Sequence, residues 1–450
     1  MIKDPNQILL ASVKRLLRRN ALSHLRKIVQ KTHAADLSVV FRSLSIADQH
    51  RLFNMIEMPE KKGTILSEMD TDAFKTLITG MEIEDIVHVF EHMPTDDVAD
   101  LILQTPPEIS EAILARMKPE GLDEVEDLLR FKDDSAGGIM NPDFIALKEN
   151  TTARQAVESL QKEHLDVEMP FYLYVVDNDG RLIGVSSLRQ LVVVSPDTPL
   201  KQLMTTDVFS VRTDMDQEEV AKIVARYDIL AVPVVDEFKR LVGIVTVDDV
   251  IDIFRHEATE DMLKMAGAGE EFVETKSVLK STRMRLPWLF ASCIGGVLAF
   301  FIIGYFEASL TKITALAAFI PVIMGMGGNI GTQSATIVVR GLATNRLHVT
   351  DLWRVVGKEL SVGMILGMVY GIMIGSVAHL RYNMFALGTA VSLAVFSSMT
   401  IAAIVGSFVP MILARFSVDP AIATGPFVTT SIDIISVSFY FMIATMLLEV

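Results

Sequence analysis

The chain has 450 residues, a formal net charge of -15 and a mean hydropathy of +0.38, although 22% of its residues are charged. That length suggests several folding units, since domains usually hold on the order of 100 to 200 residues. The acidity disfavours nucleic acid as a partner and favours cations such as metal ions, and the lone Cys293 excludes an intrachain disulfide and a thiolate zinc cluster.

Charge and apolarity are segregated. Almost every charge precedes Arg285, whereas Leu286 to Val450 is mainly Leu, Ile, Val, Ala, Met, Phe and Gly, so the second part is expected in lipid. Met1 to Gln30 is basic and amphipathic, without the apolar core or cleavage site of a signal peptide, and the soluble half is expected to stay in the cytoplasm. Lys14, Arg15, Arg18, Arg19, Arg26 and Lys27 give this stretch a basic face, either solvated or set against anionic lipid.

From Asn6 to about Arg130 apolar residues recur at helical spacing. Pro59, Pro94, Pro106, Pro107 and Pro119 punctuate them as helix starts, which predicts a stack of short helices. After Gly137-Gly138 the pattern changes to short β-branched runs alternating with helices. Two units match without a gap: Asp177 and Asp236, and Gly184 and Gly243, are each 59 residues apart. Each copy reads as strand, turn, strand, helix. A charged helical segment, Asp252 to Lys280, follows as a coupling rod.

Five runs are long enough for a bilayer, which takes about 20 residues: Leu286 to Tyr305, Ile313 to Val339, Leu360 to Leu380, Ala386 to Ala414, and Ala421 to Met446. If they alternate, Lys280, Arg283, Arg285, Arg340, Arg346, Arg354, Lys358 and Arg415 share one side. The N-terminus is then inside and the C-terminus outside.

Asp433 is the leading candidate for chemistry. A carboxylate at the centre of a span costs roughly 2.5 to 3.5 kcal/mol on insertion scales, so it faces a polar cavity or a partner. Thr429, Thr430 and Ser436 are expected on its helix face. A protonated Asp bonded between helices is the competing explanation. The second signal is Pro321 to Ser334, where Gly328, Asn329, Thr332 and Gln333 put glycine and amides at membrane depth. Glu307 lies at the outer end of the first run. Enzymatic motifs are incomplete: His256-Glu257 opens like a zinc-protease motif, but Glu260 takes the second histidine's place, and His88 with His92 reads as a surface pair. No nucleophile motif or Walker sequence occurs, so the chain is not expected to be an enzyme.

The repeat, with Pro233-Val-Val-Asp236 and Gly243-Ile-Val-Thr-Val-Asp-Asp249, resembles a paired CBS domain. Pro321 to Thr336, Ala136-Gly-Gly138, Arg212-Thr-Asp-Met-Asp-Gln-Glu-Glu219 and Glu257-Ala-Thr-Glu-Asp261 extend the likeness, and nearly the whole chain resembles the MgtE family of magnesium channels. The resemblance implies a multidomain fold: an all-α superhelical N domain (1–135), two α/β CBS units (136–200 and 201–255), a connecting plug helix (256–284), and an all-α transmembrane domain of five helices (285–450). It further implies a homodimer in the cell membrane with the pore on its two-fold axis, where Asp433 binds hydrated Mg2+. Regulatory Mg2+ would be held by Asp96, Asp97, Gly138, Asp216, Glu218, Asp228, Asp248, Asp249, Asp252, Glu257, Glu260 and Asp261, closing the pore when cytoplasmic Mg2+ is high and so maintaining Mg2+ homeostasis. ATP would sit at the first CBS unit, near Tyr172, Ser187, Arg189 and Gln190. There the usual carboxylate is replaced by Gln190, which predicts weakened ATP binding. The residues leave open a carrier for cobalt, calcium or manganese, and a membrane-anchored nucleotide sensor that conducts nothing.

Overall fold

The computed structural model describes residues 5–163, 169–268, 278–344, 346–423 and 425–448. It divides into two compact units, Met1–Glu257 and Ala258–Val450.

The first unit opens with helices α1 (Pro5–Arg18), α2 (Leu22–Lys31), α3 (Ala34–Arg42), α4 (Ile46–Phe53) and α5 (Pro59–Ser67). It continues with α6 (Thr71–Thr79), α7 (Ile83–Phe90), α8 (Thr95–Gln104), α9 (Pro107–Leu114) and α10 (Pro119–Leu128). Prolines start α5, α9 and α10, where the missing amide would have had no helical partner. Asp70 caps α6 by accepting from the Ala73 amide at 2.9 Å. The apolar faces, among them Leu25, Leu37, Phe41, Phe53, Phe74 and Phe90, close a single core that continues into the second repeat through Val220, Val234 and Val245.

The repeats form two three-stranded sheets. In the first, β1 (Ala146–Lys148) runs parallel to β2 (Tyr172–Val176), and β3 (Leu182–Ser187) is antiparallel to β2. Helix α11 (Ala153–Glu163) follows β1 and α12 (Leu188–Val193) follows β3. In the second sheet β4 (Val211–Arg212), β5 (Ala231–Val235) and β6 (Leu241–Thr246) repeat that order, with α13 (Gln217–Tyr227) after β4.

The Asp repeated at 59-residue spacing has a structural job. Asp177 Oδ1 accepts from the amides of Asp179 and Arg181 at 2.8 and 2.9 Å, and Asp236 Oδ1 from those of Phe238 and Arg240 at 2.8 Å each, which tightens the two hairpin turns. The turns then pair: the Leu182 amide donates to Lys239 O at 3.0 Å and the Leu241 amide to Gly180 O at 3.1 Å.

Helix α14 (Val247–Met265) begins inside the second repeat, with Asp248 and Asp249 in its first turn where the helix dipole favours acid. Of the connecting helix expected over 256–284, residues 256–265 are the second half of α14 and residues 278–284 open the next helix. Residues 269–277 of that expected segment lie outside the described residues.

Five helices are long and apolar enough to cross a membrane. They are α15 (Val278–Tyr305), α17 (Ile320–Ala343), α18 (Leu352–Tyr382), α19 (Phe385–Arg415) and α20 (Pro426–Leu448), with the short α16 (Glu307–Lys312) after α15. Helix α15 starts ahead of the expected boundary at 285, since Lys280, Arg283 and Arg285 extend its polar end without breaking the backbone ladder. Helix α19 packs against α17, α18 and α20, burying Leu387, Val391, Val395 and Met399.

Its contact with α18 is a seam of small residues. Gly363, Gly367, Gly371 and Gly375 are buried at four-residue intervals. A Cβ on Gly371 would stand 2.7 Å from Ser392 O, and one on Gly367 would stand 3.0 Å from Phe396 O. Small residues at such spacing let backbones approach in lipid, where helix association depends on dispersion and hydrogen bonds.

Candidate ion site in the membrane domain

The structure brings together the two membrane signals of the sequence. Asp433, half-buried on α20, faces the glycine-rich part of α17, where a Cβ on Gly328 would lie 3.8 Å from Asp433 Oδ1. At that distance the Asp433 carboxylate lies in van der Waals reach of the Gly328 position. Asn329, Thr332, Gln333 and Thr336 are exposed on α17, and Asn329, Thr332 and Thr336 follow helical spacing along one face. A polar face at membrane depth needs a polar cavity or a partner, because hydrocarbon offers it neither water nor hydrogen bonds.

The polar neighbours expected beside Asp433 are divided among other contacts. Ser436 is buried, its hydroxyl 2.7 Å from that of Ser398, which also donates to Ile323 O at 3.3 Å. Thr430 packs its methyl against Gly295 of α15. Thr429 donates to Gly425 O at 3.4 Å. The serines therefore tie α17, α19 and α20 together, and Asp433 is the group left facing Gly328. Glu307 opens α16.

Just ahead of α20, Asp419 meets α14. Lys264 Nζ lies 2.7 Å from Asp419 Oδ2 and also pairs with Glu260 one turn back, while Asp419 Oδ1 accepts from the Ala421 amide at 2.8 Å. Burial works against the Lys264 charge, yet the hydrogen bonds to Asp419 and Glu260 outweigh it and hold the ammonium above its ordinary value. Gly425 lets the chain pass closely: a Cβ there would stand 3.1 Å from Met265 O. Glu260, expected as a metal ligand, is thus engaged by an internal cation.

The other acids occupy varied settings. Asp96 is buried in the first turn of α8 and accepts from Asn141 Nδ2 at 3.3 Å, with Asp97 beside it. Asp216 caps α13, accepting from the Glu218 amide at 2.8 Å, and Glu218 pairs with Lys222 at 3.1 Å. Asp228 closes α13 in the left-handed region at φ 53°. Asp252 pairs with Arg255 at 3.0 Å, and Glu257 accepts from Gln217 Nε2 at 2.7 Å. Asp261 lies on α14 one residue beyond Glu260. Gly138 passes against the Lys132 carbonyl, so any side chain there would collide with backbone.

A concentration of negative charge emerges around Asp249. Burial pushes its carboxyl up to about 6 against the hydrogen bond from Thr246, and the charges of Asp248 and Asp252 add to the rise. Asp100 keeps an exposed edge, yet crowding and then the charges of Asp133 and Asp249 push it up to about 6 as well. Asp100 and Asp133 were not singled out in the sequence. The available signal was that Asp100 follows Asp96 and Asp97 by one helical turn. Among the described residues no three His, Cys, Asp or Glu side chains form a ready-made metal cage.

The order of these parts has counterparts among known proteins. The MgtE divalent cation transporter family matches residues 320–443, the MgtE intracellular N domain matches 32–134, and CBS domains match 136–197 and 200–256. Magnesium transporter MgtE of Thermus thermophilus is 37% identical over 367 residues, 80% of this chain and 81% of its own. That of Bacillus subtilis is 34% identical over 395 residues, 85% of this chain and 84% of its own.

The chain belongs to the MgtE family of magnesium transporters.

A crystal structure of the cytosolic domain of the Mg2+ channel MgtE in complex with ATP aligns with a TM-score of 0.52 at 34% identity, covering 54% of this chain and 99% of that one. The soluble part of a magnesium transporter aligns with a TM-score of 0.51 at 30% identity, covering 56% and 99%.

The first CBS unit carries Gln190 where the resemblance places a carboxylate against ATP. Gln190 Oε1 is taken up locally, accepting from Ser187 N at 2.8 Å and from the hydroxyls of Ser186 and Ser187 at 3.2 Å each. In the second unit Asp249 Oδ2 takes the same place against Thr246, leaving its other oxygen as an acceptor. Gln190 has only an NH2 group left, which donates. Tyr172 opens β2 opposite Ser187, and Arg189 is exposed beside it. These residues do not fit a carboxylate-type grip on a ribose diol.

Proposed function

We propose that this chain is a homodimeric, magnesium-selective channel of the cell membrane whose cytoplasmic half closes the pore when Mg2+ is abundant, maintaining Mg2+ homeostasis. The observation that carries the reading is the Asp433 carboxylate at membrane depth facing Gly328, next to a helix face bearing Asn329, Thr332 and Gln333. Magnesium dehydrates reluctantly and keeps waters at about 2.0 to 2.1 Å. A pore lined by two copies of these carboxylates and amides holds the hydrated ion through its water shell. A second copy also gives the exposed polar face of α17 a partner other than lipid. Basic residues around α15, α17, α18 and α19 favour a cytoplasmic N-terminus and an external C-terminus. Entry is then driven by the membrane potential, about 2.3 kcal/mol per charge per 100 mV and twice that for a divalent ion.

Gating follows from the acids. The group around Asp100, Asp133, Asp248, Asp249 and Asp252 repels itself without counter-ions, so Mg2+ stabilises the packed arrangement of N domain and second CBS unit. The Lys264 pair with Asp419 offers a route from α14 to the segment that begins the Asp433 helix. We derive no role for ATP, given the Gln190 geometry.

The test is magnesium uptake into liposomes carrying the purified protein. Uptake that is lost in Asp433→Asn and falls as Mg2+ rises on the cytoplasmic face is expected. Well-folded protein that passes no Mg2+, or an Asp433→Asn variant with unchanged uptake, overturns the reading.

A further inference from the structure

Glu359 of α18 is 5% exposed and accepts a hydrogen bond from Ser334 Oγ of α17 at 2.8 Å, with Ser334 itself 1% exposed. A buried carboxylate inside a membrane helix calls for a reason. Its position continues the glycine seam: Glu359 precedes Gly363 by one four-residue step. Gly375 packs on Gly388, Gly371 on Ser392, Gly367 on Phe396 and Gly363 on Met399 and Ala403. The same antiparallel register brings Glu359 to the level of Ile404 on α19, within one turn of Gly406. There α19 is thinnest, because Gly406 packs directly on the backbone of Gly331 of α17. The carboxylate thereby reaches a helix that α18 otherwise barely touches.

We propose that Glu359 is a positioning residue that sets the rotation of α17 about its own axis through Ser334. This rests on the reading of α17 as the pore helix. The side of α17 packed on α19 and α20 carries Gly327 and Gly331, against which Ser398, Ser436 and Ile432 seat, and Ser398 donates to Ile323 O. Those contacts fix α17 from one side only. The Ser334–Glu359 bond adds a second direction, from α18, which has few other contacts with α17. Ser334 is two residues from both Thr332 and Thr336, roughly 200° round the helix, so it anchors the side opposite the polar face. With a helix surface about 5 to 6 Å from the axis, a rotation of about 20° displaces Asn329 and Thr332 by about 2 Å. Displacements of that size alter how a pore fits a hydrated ion, and so selectivity more than fold.

The experiment compares uptake of Mg2+ and Mn2+ by liposomes bearing the full-length wild type, Glu359→Gln, Glu359→Met, Ser334→Ala and the Met/Ala double variant. Gln keeps the acceptor, whereas Met fills the space without it. We expect Glu359→Gln to keep the wild-type Mg2+/Mn2+ ratio. Glu359→Met and Ser334→Ala should shift it by about two- to threefold or more, and the double variant by no more than either single one. A wild-type ratio in Ser334→Ala overturns the proposal, even if Glu359→Met is not recovered as folded protein. So does a Gln variant that behaves like Met, which would make the charge the active feature. If the wild type carries no ions, the channel reading falls and this one with it. If transport depends on Asp433 while these ratios stay fixed, only the positioning role falls.

Discussion

Carboxylates that look alike in the sequence do different work. Asp177 and Asp236 close turns, Asp216 and Asp228 begin and end one helix, Asp249 sits among other acids, and Asp433 stands alone against a glycine. Asp228 occupies a left-handed position that glycine adopts freely, so Asp228→Gly should leave the melting temperature of the protein unchanged or slightly higher. A fall of several degrees would show that its carboxylate matters to the fold. Asp249 behaves differently. Its folded-state value of about 6, raised from 3.8, means the folded form holds the proton more tightly. Protonation therefore favours the packed arrangement fully below the unfolded value, and that contribution is lost as pH rises through about 6. Metal-free protein should melt lower at about pH 7 than at about pH 5, and added Mg2+ should raise the melting temperature more at the higher pH. Equal Mg2+ effects at the two pH values, or an unaltered pattern in Asp249→Asn, would sink the assignment. Residue identities made Asp433 legible, because an acid in an uncharged run is conspicuous. Glu359 is not legible in the same way, because the uncharged run starts at Leu360 and a span defined by lack of charge excludes the buried acid that precedes it.

At the level of elements, all five membrane helices were legible as long apolar runs, and so was the repeat, since a gapless 59-residue offset is a strong signal. Their ends were less so. Helix α14 runs on from the second repeat into the charged segment, and α15 starts ahead of Leu286, because charged residues continue a helix as readily as apolar ones. Side-chain partners inside the bundle were the least legible. Helical spacing put Thr429, Thr430 and Ser436 near Asp433, but it cannot tell which neighbouring helix each one meets. The coupling of α14 to the start of α20 is testable by charge exchange. Lys264→Glu should loosen the dependence of uptake on cytoplasmic Mg2+, and adding Asp419→Lys should restore it in part. The expected size is modest, because the pair is partly exposed to solvent. Identical Mg2+ dependence in all three proteins would remove the latch from the gating mechanism.

The whole molecule carries an acid-rich half ahead of Arg285 and an apolar half with little charge after it, and composition alone separates them. What composition could not supply is the partner for the exposed polar face of α17. If two copies meet there, Thr336→Cys in a Cys293→Ser background should yield a disulfide-linked dimer on mild oxidation, read on a non-reducing gel. A cysteine at Phe300, on the exposed apolar surface of α15, should not. Crosslinking at Phe300 alone would place the interface elsewhere.

The glycine seam between α18 and α19 also bears on how freely this gene can drift. Most single-base changes in a glycine codon give a larger or charged residue, and a volume added where backbones nearly touch costs about 1 to 3 kcal/mol or more. Only alanine and serine are small enough to be absorbed at modest cost. A saturation library selected for growth on limiting magnesium should therefore show intolerance at Gly363, Gly367, Gly371 and Gly375, with permissive exposed positions between them. That four-residue rhythm would record, in the genetics of a population, how close two backbones lie inside the membrane.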